Sequence, residues 1–382
     1  MTDARTAALP LYTRQDIKDQ LIANGCSGTV YAMVIPESEA SFARAMDGCV
    51  RADILAAQPD AGPAIIEEMR DRNVFTRYRE PWMQHQDAMH REWFDLWMDW
   101  AAPVVGFDRD AFRHRYPTAG ASEGIHKLMS EYLGESAAAG RAAEIHMFSG
   151  DYEGFAAIGG EGLHMKVVRH DRDDWRTIDV GHGQFWISQP SAIDGMVWDE
   201  FDAFCRDMAE RNPDAEIVPD LSYVGAVARD YRIELDHPNI RSFVVSQSKP
   251  FSGYYHRCGG VFAREARGTL TGNVWFKHLL SLAWGVDMMR HHDVHDLPRR
   301  YADHQKRAVD LVGERLGMKL RPADIYVLAL GDDIGTKDPV MASLVRGTGS
   351  ERVIRLCVTP TMSALIHPRY APGVAKSMGI GA

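Results

Sequence analysis

The chain has 382 residues, 45% hydrophobic and 25% charged, the make-up of an ordinary globular protein large enough for two packed domains or one large domain with a smaller partner. A formal net charge of -10 argues against nucleic acid as a partner, and no apolar run is long enough for a membrane span. Five scattered cysteines (Cys26, Cys49, Cys205, Cys258, Cys357), odd in number and without zinc spacing, imply no disulfide framework; with no leader-like start, the expected location is the cytoplasm.

In chain order, Thr13-Arg14-Gln15-Asp16 ahead of Ile17, Leu21 and Ile22, with Gly25 closing the run, predicts a capped amphipathic helix. A second helix is expected over Phe42 to Ala57. From Asn73 to Trp100 aromatics and methionines crowd together, among them Trp93, Phe94, Trp97 and Met98, as in a helix buried in a core or a subunit contact. From about residue 116 strand and helix signals alternate, which predicts a mainly parallel sheet covered by helices. The expected strands are Glu144 to Phe148, Leu163 to Val168, Gln184 to Ile187, Glu216 to Pro219, Ser242 to Val245 and Gly260 to Ala263, with an amphipathic helix over Trp198 to Arg211. Gly159-Gly160-Glu161-Gly162 lacks the strand before and helix after that a phosphate cradle needs, and reads as a turn. A long apolar helix covers Val274 to Met289, and the histidines beyond it (His291, His292, His295, then His304) lack a completing ligand set and read as a solvated helix end with no metal. The tail returns to a helix over Tyr301 to Leu316 and strands at Ile325 to Leu330 and Val353 to Val358.

Chemistry concentrates around Ser246-Gln247-Ser248-Lys249. Lys249 emerges where the buried run Phe243-Val244-Val245 meets a loop, the edge at which open α/β sheets place ligands. A desolvated lysine there can act as an amine nucleophile toward a carbonyl and form a Schiff base. Ser246, Ser248 and Arg257 can supply hydroxyls and a planar fork to a phosphate on the same ligand. Pyridoxal 5'-phosphate joins those two groups; the alternative is a basic loop after a strand. Gly120, Ala121 and Ser122 precede a helical pattern, as an anion site or as a simple helix cap. Asp220 ends a strand, with Tyr223 three residues on; it can hold a pyridine nitrogen protonated or only cap the next helix. Tyr152 can lie over a cofactor ring or be a half-buried loop residue. Arg355 stands inside an apolar strand, where its charge needs a partner, either a substrate carboxylate or a protein one.

Taken in this order, from about Tyr116 to Val358, the residues resemble the fold-type I pyridoxal-phosphate enzymes, within them the class I/II aminotransferase group. The resemblance implies an aminotransferase-like large domain with a mostly parallel sheet over residues 61–275. A small α+β domain would be built from residues 1–60 and 276–382. It implies Lys249 as the Schiff-base lysine, Asp220 as partner of the pyridine nitrogen and Tyr223 as donor to the 3'-oxygen. Gly120, Ala121, Ser122, Ser246 and Arg257 match the phosphate cup, Tyr152 the stacking ring and Arg355 the carboxylate-binding arginine. A homodimer with sites at the subunit interface is implied as well. One departure stands out: the asparagine of the family's Asn-Pro-Thr-Gly turn is replaced by Ala192 within Ser188-Gln189-Pro190-Ser191-Ala192-Ile193-Asp194-Gly195, where Gln189 or Ser191 is the expected stand-in. The expected activity is an aminotransferase on an α-amino acid. The alternative is a lyase or bond-forming enzyme of specialised metabolism that eliminates or replaces at Cβ or Cγ, with an S-adenosylmethionine-type substrate among the candidates. A silent pyridoxal-phosphate-dependent regulator is the third reading, disfavoured because no DNA-binding helix-turn-helix is evident.

Overall fold

A computed structural model of the chain describes residues 15–57, 60, 62–63, 85–274, 279–333, 335 and 338–381. Runs such as Phe243-Val244-Val245 and Ile217-Val218 carry apolar side chains on both faces, which suits strands covered by helices on each side. Seven strands form one sheet: β1 (His114–Thr118), β2 (Glu144–Phe148), β3 (Lys166–His170), β4 (Gln184–Ser188), β5 (Glu216–Asp220), β6 (Ser242–Ser246) and β7 (Gly259–Ala263). Their spatial order is β1-β7-β6-β5-β4-β2-β3. The pairs from β3 through to β6 are parallel, and β7 alone runs antiparallel to both of its neighbours. A second sheet, β8 (Leu320–Pro322), β9 (Leu328–Asp332), β10 (Val345–Arg346) and β11 (Val353–Cys357), is antiparallel in the order β8-β9-β11-β10. The segment after the first helix, α1 (Gln15–Ala23), joins it through a bridge between Ser27 and Cys357, with bonds of 2.9 and 2.8 Å.

The aromatic segment is core. On the helix His85–Ala101, Trp93, Phe94, Trp97 and Trp100 are buried, and Trp97 lies 5.0 Å from the Phe262 ring of β7. Phe262 in turn stacks on Phe243 of β6 at 4.8 Å. Residues 73–84 of that segment lie outside the described residues.

Several boundaries differ from expectation for local reasons. The second helix starts at Pro36, not Phe42, since proline is tolerated in a first turn. Strand β3 starts at Lys166 because the amides of Leu163 and Met165 close back on Ile158 and Gly159; the Gly159–Gly162 motif is not a simple turn but part of a π-helical segment, Ala157–Gly162. Ile325 precedes β9, its amide taken by Gly195 O. The edge strand β1 has no expected counterpart, its His-Arg-Tyr-Pro-Thr showing no apolar alternation. Of the histidines expected at a solvated helix end, His291 is exposed at the end of Leu279–His291, but the next two are not. His292 and His295 are buried and bonded to Asp296 and to Val227 O. Among the described residues no group of three or more His, Cys, Asp or Glu is arranged to hold a metal, and no helix is long and apolar enough to cross a membrane.

Gly259, the first residue of β7, sits where three elements meet. A Cβ there would lie 2.8 Å from Gly120 Cα and against Val245 O, both backbone atoms that cannot rotate away. We expect Gly259→Ala to lower unfolding stability by about 1–3 kcal/mol, read as a lower denaturation midpoint in urea. An unchanged midpoint would mean that β6, β7 and the Gly120 turn are not packed in this way.

Candidate active site

Every parallel strand of the central sheet ends on one edge, and the side chains singled out in the sequence gather there. β1 leads to Gly120 and Ala121, β2 to Asp151 and Tyr152, β4 ends at Ser188, β5 at Asp220, and β6 at Ser246 with Ser248 and Lys249 just beyond. β7 starts on the same edge, with Arg257 two residues before it. One cavity is lined by Ala121, Ser122, Tyr152, Asp220, Tyr223, Ser246, Ser248, Lys249, Arg257 and Arg355.

Lys249 is half-buried, its Nζ hydrogen-bonded to Val30 O and 5.6 Å from the Tyr254 ring centroid. Burial is the main influence on its ammonium and brings its pKa down to about 8, helped by the Arg257 and Arg355 charges and opposed by Cys357 and Asp220. Asp220 is 4% exposed, and its Oδ1 accepts from Ser222 N at 3.0 Å and Ser222 Oγ at 2.6 Å. These bonds cap the turn, yet Oδ2 has no described protein donor. Burial pushes the Asp220 carboxyl up to about 6, against the pull of Ser222 and Lys249. A cation beside it would draw it back down. Tyr223 is buried on the same wall, which pushes its phenol up and keeps it protonated as a donor.

The anion-binding corner is built from small residues. The helix Ala121–Ala138 begins after Gly120, whose φ of 81° suits glycine, and no side chain caps its first amides. A Cβ on Gly120 would lie 2.6 Å from Arg257 Nη2, so the glycine makes room for the guanidinium. Arg257 is itself left-handed at φ 50° and donates to Ala119 O at 2.9 Å. Ser246 Oγ and Ser248 Oγ lie 3.1 Å apart. Free helix amides, three serine hydroxyls and a guanidinium around one small corner fit a phosphate group. Tyr152, hydrogen-bonded to Ser122, borders the same space.

Arg355 on β11 is 2% exposed and donates to carbonyls, Ala192 O and, at 3.4 Å, Gly28 O. No described carboxylate pairs with it, and its Nε has no partner. Gln189 is not brought to the cavity. Its side chain is spent on Trp198, donating to the carbonyl at 2.9 Å and accepting from the amide at 3.2 Å. Ser191 is likewise turned to Arg172 at 3.2 Å, so neither replaces the missing asparagine. Ala192 does line the cavity.

Sequence reasoning missed Gly28, Thr29, Val30, Glu153, Ser188 and Arg346, all on the wall. Arg346 pairs with Glu153 at 2.9 Å, and burial lowers its pKa to about 10. It comes from a two-residue strand whose apolar lead, Leu344 and Val345, is too short to mark it. Ser188 was detectable, since it stands in register with Asp220 on the neighbouring strand.

The chain matches no protein-family model and no curated protein in sequence. Its fold does have relatives among solved structures. YbdL from Escherichia coli, whose structure and reactivity identify a methionine aminotransferase function, aligns with 98% of this chain and 99% of its own at a TM-score of 0.63 and 13% identity. This is the aminotransferase fold. The PLP-bound C-S lyase from Staphylococcus hominis, complexed with the inhibitor L-cycloserine, aligns with 75% of this chain and 79% of its own at 0.54 and 15% identity. Thermus thermophilus aspartate aminotransferase aligns with 76% and 80% at 0.52 and 13% identity.

The Lys249 environment makes a pH prediction. A pKa near 8 puts the change from ammonium to free amine near neutrality, so capture of added pyridoxal phosphate by the cofactor-free chain should quicken as pH rises, with its midpoint at about 8, and then level off. Stopped-flow absorbance between pH 6 and 11 reads it. A midpoint near the ordinary lysine value of about 10.4 would contradict the burial of the amine.

Proposed function

We propose that this protein is a pyridoxal-phosphate-dependent enzyme acting at the Cα of an α-amino acid, most simply an aminotransferase. The observation that carries the reading is the convergence in one cavity of an amine with depressed pKa, a buried carboxylate with an open oxygen and a phosphate-sized corner of donors. Arg257, Ser122, Ser246, Ser248 and the amides after Gly120 would hold the phosphate. Asp220 Oδ2 would hold a proton on the pyridine nitrogen, Tyr223 would donate to the 3'-oxygen, and Tyr152 would face the ring. When bound, the cofactor supplies the electron sink for charge developing at the substrate Cα.

The rest is done by this chain's own groups. Arg355, with no carboxylate partner among the described residues, orients the amino acid by its α-carboxylate. Lys249 Nζ is the amine for the cofactor's aldehyde and the base that takes the Cα proton. Aminotransferase and lyase relatives share the fold, so elimination or replacement in specialised metabolism is the second reading, favoured by alanine at position 192. We further propose a cytoplasmic homodimer, with the small domain drawn from residues 1–60 and 276–382. Tyr255, 92% exposed beside the cavity loop, supports a subunit contact there.

Borohydride reduction of the holoprotein followed by peptide mapping should put the pyridoxyl group on Lys249; label on Lys166 or another lysine ends this reading. Arg355→Ala should weaken amino-acid binding by roughly 2–5 kcal/mol with cofactor binding little changed. Keto-acid release decides between the two chemistries. With an amino acid alone, an aminotransferase stops at one equivalent per site, whereas sustained turnover without a keto acceptor identifies a lyase.

A further inference from the structure

Asp151 is a buried carboxylate with no role in the chemistry of Lys249, Asp220 and Tyr223. It is 2% exposed, does not line the cavity, and no described cation pairs with it. Its Oδ1 accepts from Ser188 Oγ and, at 2.6 Å, from Tyr152 N, and its Oδ2 accepts from Ser188 N at 3.2 Å. Burying a charge among neutral donors is costly, and an asparagine could accept most of the same bonds at lower cost. The carboxylate does one thing that a neutral acceptor does less firmly: it claims the single proton of the Ser188 hydroxyl.

With that proton committed, the lone pairs of Ser188 Oγ are turned to accept, and Ala192 N donates to them at 2.7 Å. The carbonyl of the same Ala192 receives Nη1 of Arg355. The contacts thus form an unbroken series from Asp151 through Ser188 and Ala192 to Arg355. We propose that Asp151 is a positioning residue that, through Ser188 and the Ala192 carbonyl, holds Arg355 in place to receive the substrate's carboxylate. The inference rests on Arg355 being the residue that binds that carboxylate. It also accounts for a turn that needs no side chain at position 192, because the backbone of Ala192 carries the connection.

Two probes that attack a bound aldehyde through the same aminooxy nitrogen separate this role from a merely structural one. Aminooxyacetate carries a carboxylate, and methoxyamine does not. In the holoprotein, Asp151→Ala and Ser188→Ala should each slow aminooxyacetate capture by roughly ten- to a hundredfold, the scale of misplacing a binding group by about an ångström, while methoxyamine capture stays within about twofold. Asp151→Asn should fall between wild type and Asp151→Ala. The double variant should be no slower than the slower single one, as expected for groups acting in series. In the cofactor-free chain, phenylglyoxal labelling of Arg355, followed by peptide mass mapping, should speed up in both single variants. If Asp151→Ala does not fold, Ser188→Ala carries the test. Equal slowing of both probes, no slowing of either, or unchanged Arg355 labelling overturns the inference. A wild-type holoprotein indifferent to the carboxylate removes Arg355 from its role and the inference with it; one whose cofactor reacts with neither probe overturns the cofactor reading first.

Discussion

The site depends on removing one ammonium group from water. Lys249 comes after a strand whose residues are all buried, and the loop beyond it is tied down by the Tyr254 ring and by Arg257, so the amine has little solvent to retreat to. Desolvation of that kind is unfavourable for folding and favours reactivity, since it lowers the pKa of the Lys249 amine, and an amine must be neutral to attack a carbonyl. The neighbouring cations, Arg257 and Arg355, push the same way. Cys357 and Asp220 oppose them, and Asp220 and Lys249 temper one another across the cavity.

The parallel sheet makes this convergence possible. Strands that run together deliver their final residues to one edge, so segments far apart in sequence bring Ser188 and Asp220 into register and place Ser246 on the same cavity. The antiparallel β7 brings its first residue to that edge instead, which sets Arg257 against Gly120. A meander of the same residues would scatter them to both ends.

Much of this is legible in the sequence wherever one physical signal dominates. β2 spans just Glu144 to Phe148, and β6 covers the whole Ser242 to Val245 run, whose Phe243-Val244-Val245 is the unbroken apolar stretch of a doubly covered strand. Lys249, Asp220 and Arg355 are visible as charges where apolar runs end or pass, which is expensive without a purpose. The features that escape depend on tertiary contact. The edge strand β1 has no pattern of its own and exists because β7 supplies its partners. Gln189 is suited by type to face a ligand, yet the backbone of Trp198 satisfies it elsewhere. His295 reads as solvated because no local feature reveals Val227 O as its neighbour, whereas the Asp296 that holds His292 stands only four residues on and is there to be read.

The bridge between Ser27 and Cys357 bears on how the protein is made. Gly28 and Arg355 stand 327 residues apart and meet across the cavity mouth, while Val30 supplies the carbonyl that holds Lys249 Nζ. During synthesis the wall through Gly28 and Val30 emerges before the strand it pairs with, and must wait until that strand has been made. For that interval the central sheet can assemble around Lys249, but the wall through Gly28 and Val30 has nothing to pair with. The bridge therefore makes a finished binding cavity wait for the strand that carries Arg355 and Cys357.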